Sequence, residues 1–159
     1  MGKTYLIAGT SCAVTTEFIQ GALSRKNRVV AALDPKAEQL PLEPDWEKNL
    51  HYLQWNRRSP LSAKTFVTGG VNAFDGIDEA LFVYVPSESS QAMHEIPLAE
   101  IEEAVDDTIK GLYYLLKELC GFFQKRKAGA LTFVYCDKGA EVLPPLEAGA
   151  AGAFRALVP

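Results

Sequence analysis

Cysteine is scarce: the 159 residues hold three, Cys12, Cys120 and Cys136, an odd number with neither a CxxC spacing nor a Cys/His ligand spacing. That excludes a disulfide framework and a zinc site of the usual pattern, and it leads us to expect a reducing, cytoplasmic setting. Histidine is scarcer still. His51 and His94 stand far apart without paired carboxylates, so no metal set or His-centred triad is expected. Positive charge is also in deficit, with 16 Lys and Arg against 20 Asp and Glu, a net charge of −4 and a pI near 5.2. A nucleic-acid partner is therefore not expected, because binding a phosphate backbone takes clustered cations that displace counterions. The one basic cluster, Lys125, Arg126 and Lys127, reads as the favourable carboxyl end of a helix. No apolar run reaches membrane-spanning length, the stretch before Gly9 is too short for a signal peptide, and Leu6 stands where a myristoylation motif needs Ser or Thr. Neither repeats nor low-complexity tracts occur.

Apolar residues, by contrast, are plentiful: 48% with 23% charged, enough for one core and, at this length, a single domain over residues 1–159. Five short runs rich in β-branched or aromatic residues, at 5–8, 29–33, 51–55, 80–85 and 131–135, read as strands. Four are nearly continuous in apolar character, as strands buried on both faces are. Helical spacing separates most of them, and the alternation β-α-β-β-α-β-α-β predicts a parallel sheet covered on both faces, a doubly wound α/β fold. The first helix should start near Thr15 and bury Phe18 and Ala22. Pro35, Pro41 and Pro44 limit 35–50 to a short helical piece, whereas Ser59-Pro60 is a favoured helix start. A long helix is predicted over 97–123, where Leu98, Ile101, Val105, Ile109, Leu112, Leu116, Leu119 and Phe123 recur at spacings of three and four. Beside this stripe runs a second row, Ala104, Thr108, Gly111, Leu115 and Phe122. So wide an apolar surface serves either a subunit interface or a wide sheet.

Four features together make the chain resemble the short-chain dehydrogenases/reductases over nearly its whole length. These are Ala8-Gly9-Thr10-Ser11-Cys12-Ala13-Val14-Thr15 after the first strand, Asp75-Gly76-Ile77-Asp78 before the fourth, Gly129-Ala130-Leu131-Thr132-Phe133-Val134 at the fifth, and the long helix. The resemblance implies a Rossmann-like sheet of about five strands in the order 3-2-1-4-5, and a site for NAD or NADP without a metal. Candidate cofactor-binding residues are Gly9, Thr10, Ser11, Ala13 and Val14 at the first turn, Asp34 past the second strand and Asn56 past the third. The family's first turn reads TGxxxGxG, and here Gly9 alone matches: Ala8 replaces the Thr, Ala13 the second Gly and Thr15 the third. Side chains thus stand where backbone should approach a pyrophosphate, which weakens dinucleotide binding. Asp34 reads first as a turn residue before Pro35, and also stands close to where an acidic residue would meet a ribose hydroxyl; Asn56 replaces an Asp that touches adenine. The NNAG motif falls on Val83-Tyr84-Val85-Pro86, with nothing retained, and 87–91 reads as a solvated polar loop.

Catalysis in the family uses a Tyr as proton donor, a Lys that lowers its pKa, a substrate-orienting Ser and an Asn. The positions implied are Thr108 for Asn, Cys136 for Ser, Glu147 for Tyr and Ala151 for Lys, and no register within 144–159 supplies YxxxK. No catalytic residue is assigned. Glu147 reads as a surface carboxylate in a helix first turn, and Cys12 as a partly buried loop cysteine. The chain ends at Pro159, where the family continues through two strands and a segment that closes over substrate, so both are expected to be lacking. The expectation is a reductase-like domain without redox chemistry, acting by association or weak nucleotide binding; the alternative is a divergent NAD(P)-dependent oxidoreductase acting on a carbonyl or alcohol. Association would make a homo-oligomer through helix 97–123, or engage a partner chain that completes the sheet.

Overall fold

A computed structural model describes residues 2–32, 46–85, 91–136 and 143–156. Alternation along the three central apolar runs gives their strands two buried faces, while the runs at the two sheet edges are less buried. The strands β1 (Thr4–Gly9), β2 (Arg28–Ala32), β3 (Leu50–Tyr52), β4 (Glu79–Tyr84) and β5 (Ala130–Tyr135) form one parallel sheet in the order β3-β2-β1-β4-β5. Leu6 lies opposite Val30 on one side and Ala80 on the other, and Phe82 lies opposite Phe133. On one face Ile7, Val29, Ala31, Leu81 and Val83 pack against Ile19, Ala22 and Leu23 of α1 (Ala13–Ser24). On the other, Leu6, Val30, Ala80 and Phe82 meet side chains of α2 (Pro60–Phe74), α4 (Gly111–Arg126) and α5 (Pro145–Ala156), among them Phe66, Leu115, Leu119 and Phe154. Helices on both faces are what an all-parallel sheet needs to leave water. The doubly wound architecture and its strand order are as expected.

Local chemistry explains the helix ends. Ser59 caps α2 by accepting the N–H of Ser62 at 3.2 Å, with Pro60 opening the helix. Asp75 in a left-handed conformation (φ 59°) and Gly76 (φ 145°) then turn the chain into β4. The Asp78 carboxylate accepts the N–H of Thr4 and the Arg126 guanidinium, both at 2.8 Å, while Arg126 also donates to the Ile77 carbonyl at 2.6 Å. The basic end of α4 is therefore fastened to the amino ends of β1 and β4.

The long helix departs from its expected form. Residues 98–126 form α3 (Leu98–Ala104), a π-helical stretch (Val105–Lys110) and α4. Each π turn takes in an extra residue and rotates the faces that follow, so the expected stripe does not hold along its length. Leu98 is 79% exposed, whereas Gly111 and Leu115, from the second row, are buried beside Leu112, Leu116, Leu119 and Phe123. Gly111 is small for a reason: a Cβ there would stand 2.7 Å from Cβ of Arg57. The third strand is also shorter than 51–55, and α1 begins two residues before Thr15.

Gly9 closes β1 at φ 129°, with the carbonyl oxygen of Val83 only 2.0 Å from the position of an added Cβ. Gly21, inside α1, has no neighbour within 4 Å of that position. In urea denaturation, Gly9→Ala is expected to cost at least about 2 kcal/mol through left-handed strain and overlap, while Gly21→Ala is expected to gain about 0.5–1 kcal/mol. Equal effects at the two sites would contradict the close β1–β4 approach.

Candidate functional site

The chain runs from β1 outward through β2 and β3, then returns to β4 on the other side of β1, so the switch point lies between the carboxyl ends of β1 and β4. The two ends are tied together. Thr10 donates its N–H to the Val83 carbonyl at 2.8 Å, and its hydroxyl accepts the N–H of Val85 at 3.2 Å. Above them Arg57, which the sequence reading passed over, reaches from the loop after β3 and donates to the Gly9 carbonyl at 2.9 Å. Its guanidinium lies over the Trp55 ring, 5.5 Å from the centroid. Beneath these side chains, with Thr108 and Phe154, remains a cavity of about 40 Å³, well short of the several hundred Å³ of an ordinary ligand pocket.

On the α5 side the Tyr84 phenol donates to the Glu147 carboxylate. Burial, reinforced by that carboxylate, pushes the Tyr84 pKa far above its ordinary value. Tyr84 also stacks on Tyr135 at 6.1 Å and packs against Phe154 at 5.6 Å, while the Arg155 guanidinium sits over the Tyr135 ring. Glu147 is thus half-buried and paired, not the surface carboxylate expected of a first-turn position, because α5 lies on the strand that carries Tyr84.

The expected binding residues are dispersed in role. Gly9 and Thr10 hold β1 to β4. Ser11 precedes the helix, Ala13 is exposed, and Val14 is 44% exposed in the first turn of α1. Thr15, expected to intrude on the phosphate side, points inward instead: it is fully buried, and its hydroxyl donates to the Thr10 carbonyl at 2.8 Å. Asn56 is exposed, and its side-chain oxygen accepts the N–H of Arg58 at 3.0 Å in a local turn. Asp34 and Pro86 lie outside the described residues. Of the four positions implied for catalysis, Thr108 spends its hydroxyl on the Ala104 carbonyl of its own helix, and Ala151 is buried. Among the described residues no group of three His, Cys, Asp or Glu gathers as a metal site, and no helix is long and apolar enough to cross a membrane.

No protein-family model and no curated protein sequence matches the chain. Solved structures do. A short-chain dehydrogenase from Leptospira borgpetersenii serovar Hardjo-bovis with bound NAD+ superposes with a TM-score of 0.78 at 16% identity, covering 99% of this chain. ElxO with NADP bound gives 0.79 at 18% identity and the same coverage, and a short-chain type dehydrogenase/reductase from Mycobacterium marinum gives 0.75 at 15% over 98%. This chain has the fold of the short-chain dehydrogenases/reductases. It spans 63%, 65% and 66% of the lengths of those three proteins.

At the carboxyl edge the described side chains engage one another: Arg57 reaches the Gly9 carbonyl, and Tyr84 donates to Glu147. Read from the sequence, Tyr84 and Glu147 are separate features, and their contact is not anticipated there.

Because its folded pKa is raised, the protonated Tyr84 phenol favours the fold. That contribution is complete below the unfolded value near pH 10 and is lost as pH rises toward the folded value. Tyr84→Phe should therefore lose thermal stability less steeply than wild type above about pH 10. Ultraviolet titration should show one phenol that resists ionisation until unfolding. Parallel pH profiles for variant and wild type would refute the assignment.

Proposed function

We propose that this chain is a reductase-fold module without redox turnover, working by association and holding a dinucleotide weakly or not at all. The observation that carries the reading is the dual position of Gly9. It is the one glycine retained from the cofactor turn, yet the Val83 carbonyl demands it on packing grounds and Arg57 covers its own carbonyl. Retention of Gly9 is thus accounted for without a nucleotide, and architecture by itself does not carry a reaction.

The second reading, a divergent NAD(P)-dependent oxidoreductase acting on a carbonyl or alcohol, is favoured by the NAD+ and NADP in the structures of the neighbours. Under it Thr10, Ser11, Ala13, Val14 and Asn56 would line the nucleotide. Calorimetric titration separates the two. We expect no saturable heat with NADH or NADPH up to millimolar concentration, where binding would correspond to roughly −4 kcal/mol. Saturation at or below about 100 μM, with turnover of carbonyl substrates, would replace the first reading by the second.

Association is supported by two exposed features. Leu98 (79% exposed) and Tyr113 (51% exposed) lie on the α3–α4 run, and β5 is an edge of the sheet. We assign the first of these to self-association in a cytoplasmic setting. Sedimentation velocity should show a concentration-dependent dimer or larger species that the double variant Leu98→Glu, Tyr113→Glu converts to a monomer of unchanged helical content. A monomer at every concentration would leave the β5 edge and a second protein as the route.

A further inference from the structure

The amino edge of the sheet, at the opposite end from Gly9 and Tyr84, opens into a pocket of about 530 Å³, a size ordinary for ligand pockets. Three cations line it: Lys3 just before β1, Arg28 at the start of β2 and Arg126 in the last turn of α4. Two of them have carboxylate partners, Lys3 with Glu79 and Arg126 with Asp78 at 2.8 Å. Arg28 pairs with no carboxylate among the described residues. Its guanidinium lies 5.5 Å from the centroid of the Phe74 ring, a contact that orients it, and its Nε is buried without a hydrogen bond. Thr4, opposite Arg28 in the β1–β2 register and 1% exposed, likewise has a hydroxyl without a partner. Buried donors are almost always satisfied and a guanidinium offers five N–H groups, yet the described residues supply no acceptor here. Charge points the same way. Lys26, whose carbonyl adjoins Gly2 in the pocket wall, and Lys127, between Arg126 and Ala128, bring the local cations to five against Asp75, Asp78 and Glu79, an excess of two in a chain whose net charge is −4.

We propose that this pocket binds a small phosphate monoester, with Arg28 as its main contact. A monoester carries about −1.5 to −2 charges near pH 7 and three strongly accepting oxygens. That charge matches the local excess of two cations, and the oxygens suit the planar fork of a guanidinium that no carboxylate occupies. A single carboxylate would leave half of the excess uncompensated. Lys3 commits one of its three ammonium N–H groups to Glu79, and Arg126 donates to Asp78 and the Ile77 carbonyl, so both keep donors for the remaining oxygens. The pocket is larger than a phosphate group, which leaves space for the organic part of the ester. A nucleic-acid backbone fits less well, because it needs cations spread along a surface rather than gathered at one pocket. Bound in this way, the ester bridges the first residues of β1 and β2 to the last turn of α4.

The test is an NMR titration of the full 159-residue chain with phenyl phosphate, at an ionic strength held constant with sodium chloride. Benzoate, which keeps the ring but carries one negative charge, is titrated in parallel. We expect phenyl phosphate to shift the amides of Lys3, Arg28 and Gly129 saturably at about millimolar concentration or below, and benzoate to act at least about tenfold more weakly. Thr10 and Val85, at the other end of the sheet, should not respond. Arg28→Gln should weaken binding by about tenfold or more, whereas Lys117→Gln, the same change of charge at an exposed position on α4, should leave it unchanged. Where Arg28→Gln does not fold, the wild-type shift map and the benzoate comparison decide. No saturation by about 20 mM would overturn the proposal. So would an equal response to benzoate, shifts gathered at Thr10 and Val85, or undiminished binding by folded Arg28→Gln. This inference is independent of the proposed function: a dinucleotide bound at the carboxyl edge would shift Thr10 and not Arg28, and an empty amino edge would leave the calorimetric result standing.

Discussion

The Val83 carbonyl approaches so near to Gly9 that any side chain at residue 9 would overlap it, and on this contact the rest of the structure depends. It lets β1 and β4 pair to their carboxyl ends, with Thr10 extending the ladder by one further hydrogen bond. At the other end of the same pair, Asp78 accepts the N–H of Thr4 and draws in Arg126 from α4. Joined at both ends, these two strands set the switch point, the level at which α1 begins and the depth of the cleft above them.

Around that pair the core follows from the two-residue period of the strands. Leu6, Ala8, Phe82 and Phe133 serve one face, and Ile7, Leu81, Val83 and Val134 the other. Each face needs a helical cover because a parallel sheet has no side that tolerates water. Several polar groups at the carboxyl edge are satisfied from within, Arg57 by the Gly9 carbonyl and Trp55, Thr15 by Thr10, Thr108 by Ala104 and Tyr84 by Glu147, while Trp55 Nε1 and Tyr135 Oη are buried without a hydrogen bond. Several of the described side chains along this edge thus engage one another, and architecture by itself does not carry a reaction.

Much of the fold was legible from residue pattern. Apolar runs marked the strands because burial on both faces demands continuous apolar character, and Ser59-Pro60 marked a helix start because cap chemistry is local. The long helix was less legible, since a π-helical stretch moved Leu115 and Gly111 into the core and left Leu98 outside. Nothing in a spacing rule anticipates an extra residue per turn. The candidate site was the least legible. Motif positions showed what had been replaced, but not that Thr15 turns inward, that Glu147 finds Tyr84, or that Arg57 crosses the cleft.

By itself, then, the sequence determined the alternation of strands and helices and the helix start at Ser59. These are properties of residue type and near-neighbour spacing. Tertiary structure alone decided the pairings between distant residues: Gly9 with Val83, Arg57 with Gly9, and Tyr84 with Glu147. Each depends on the parallel order that brings the carboxyl ends of separate strands to one edge, and no local pattern encodes which side chains will meet there.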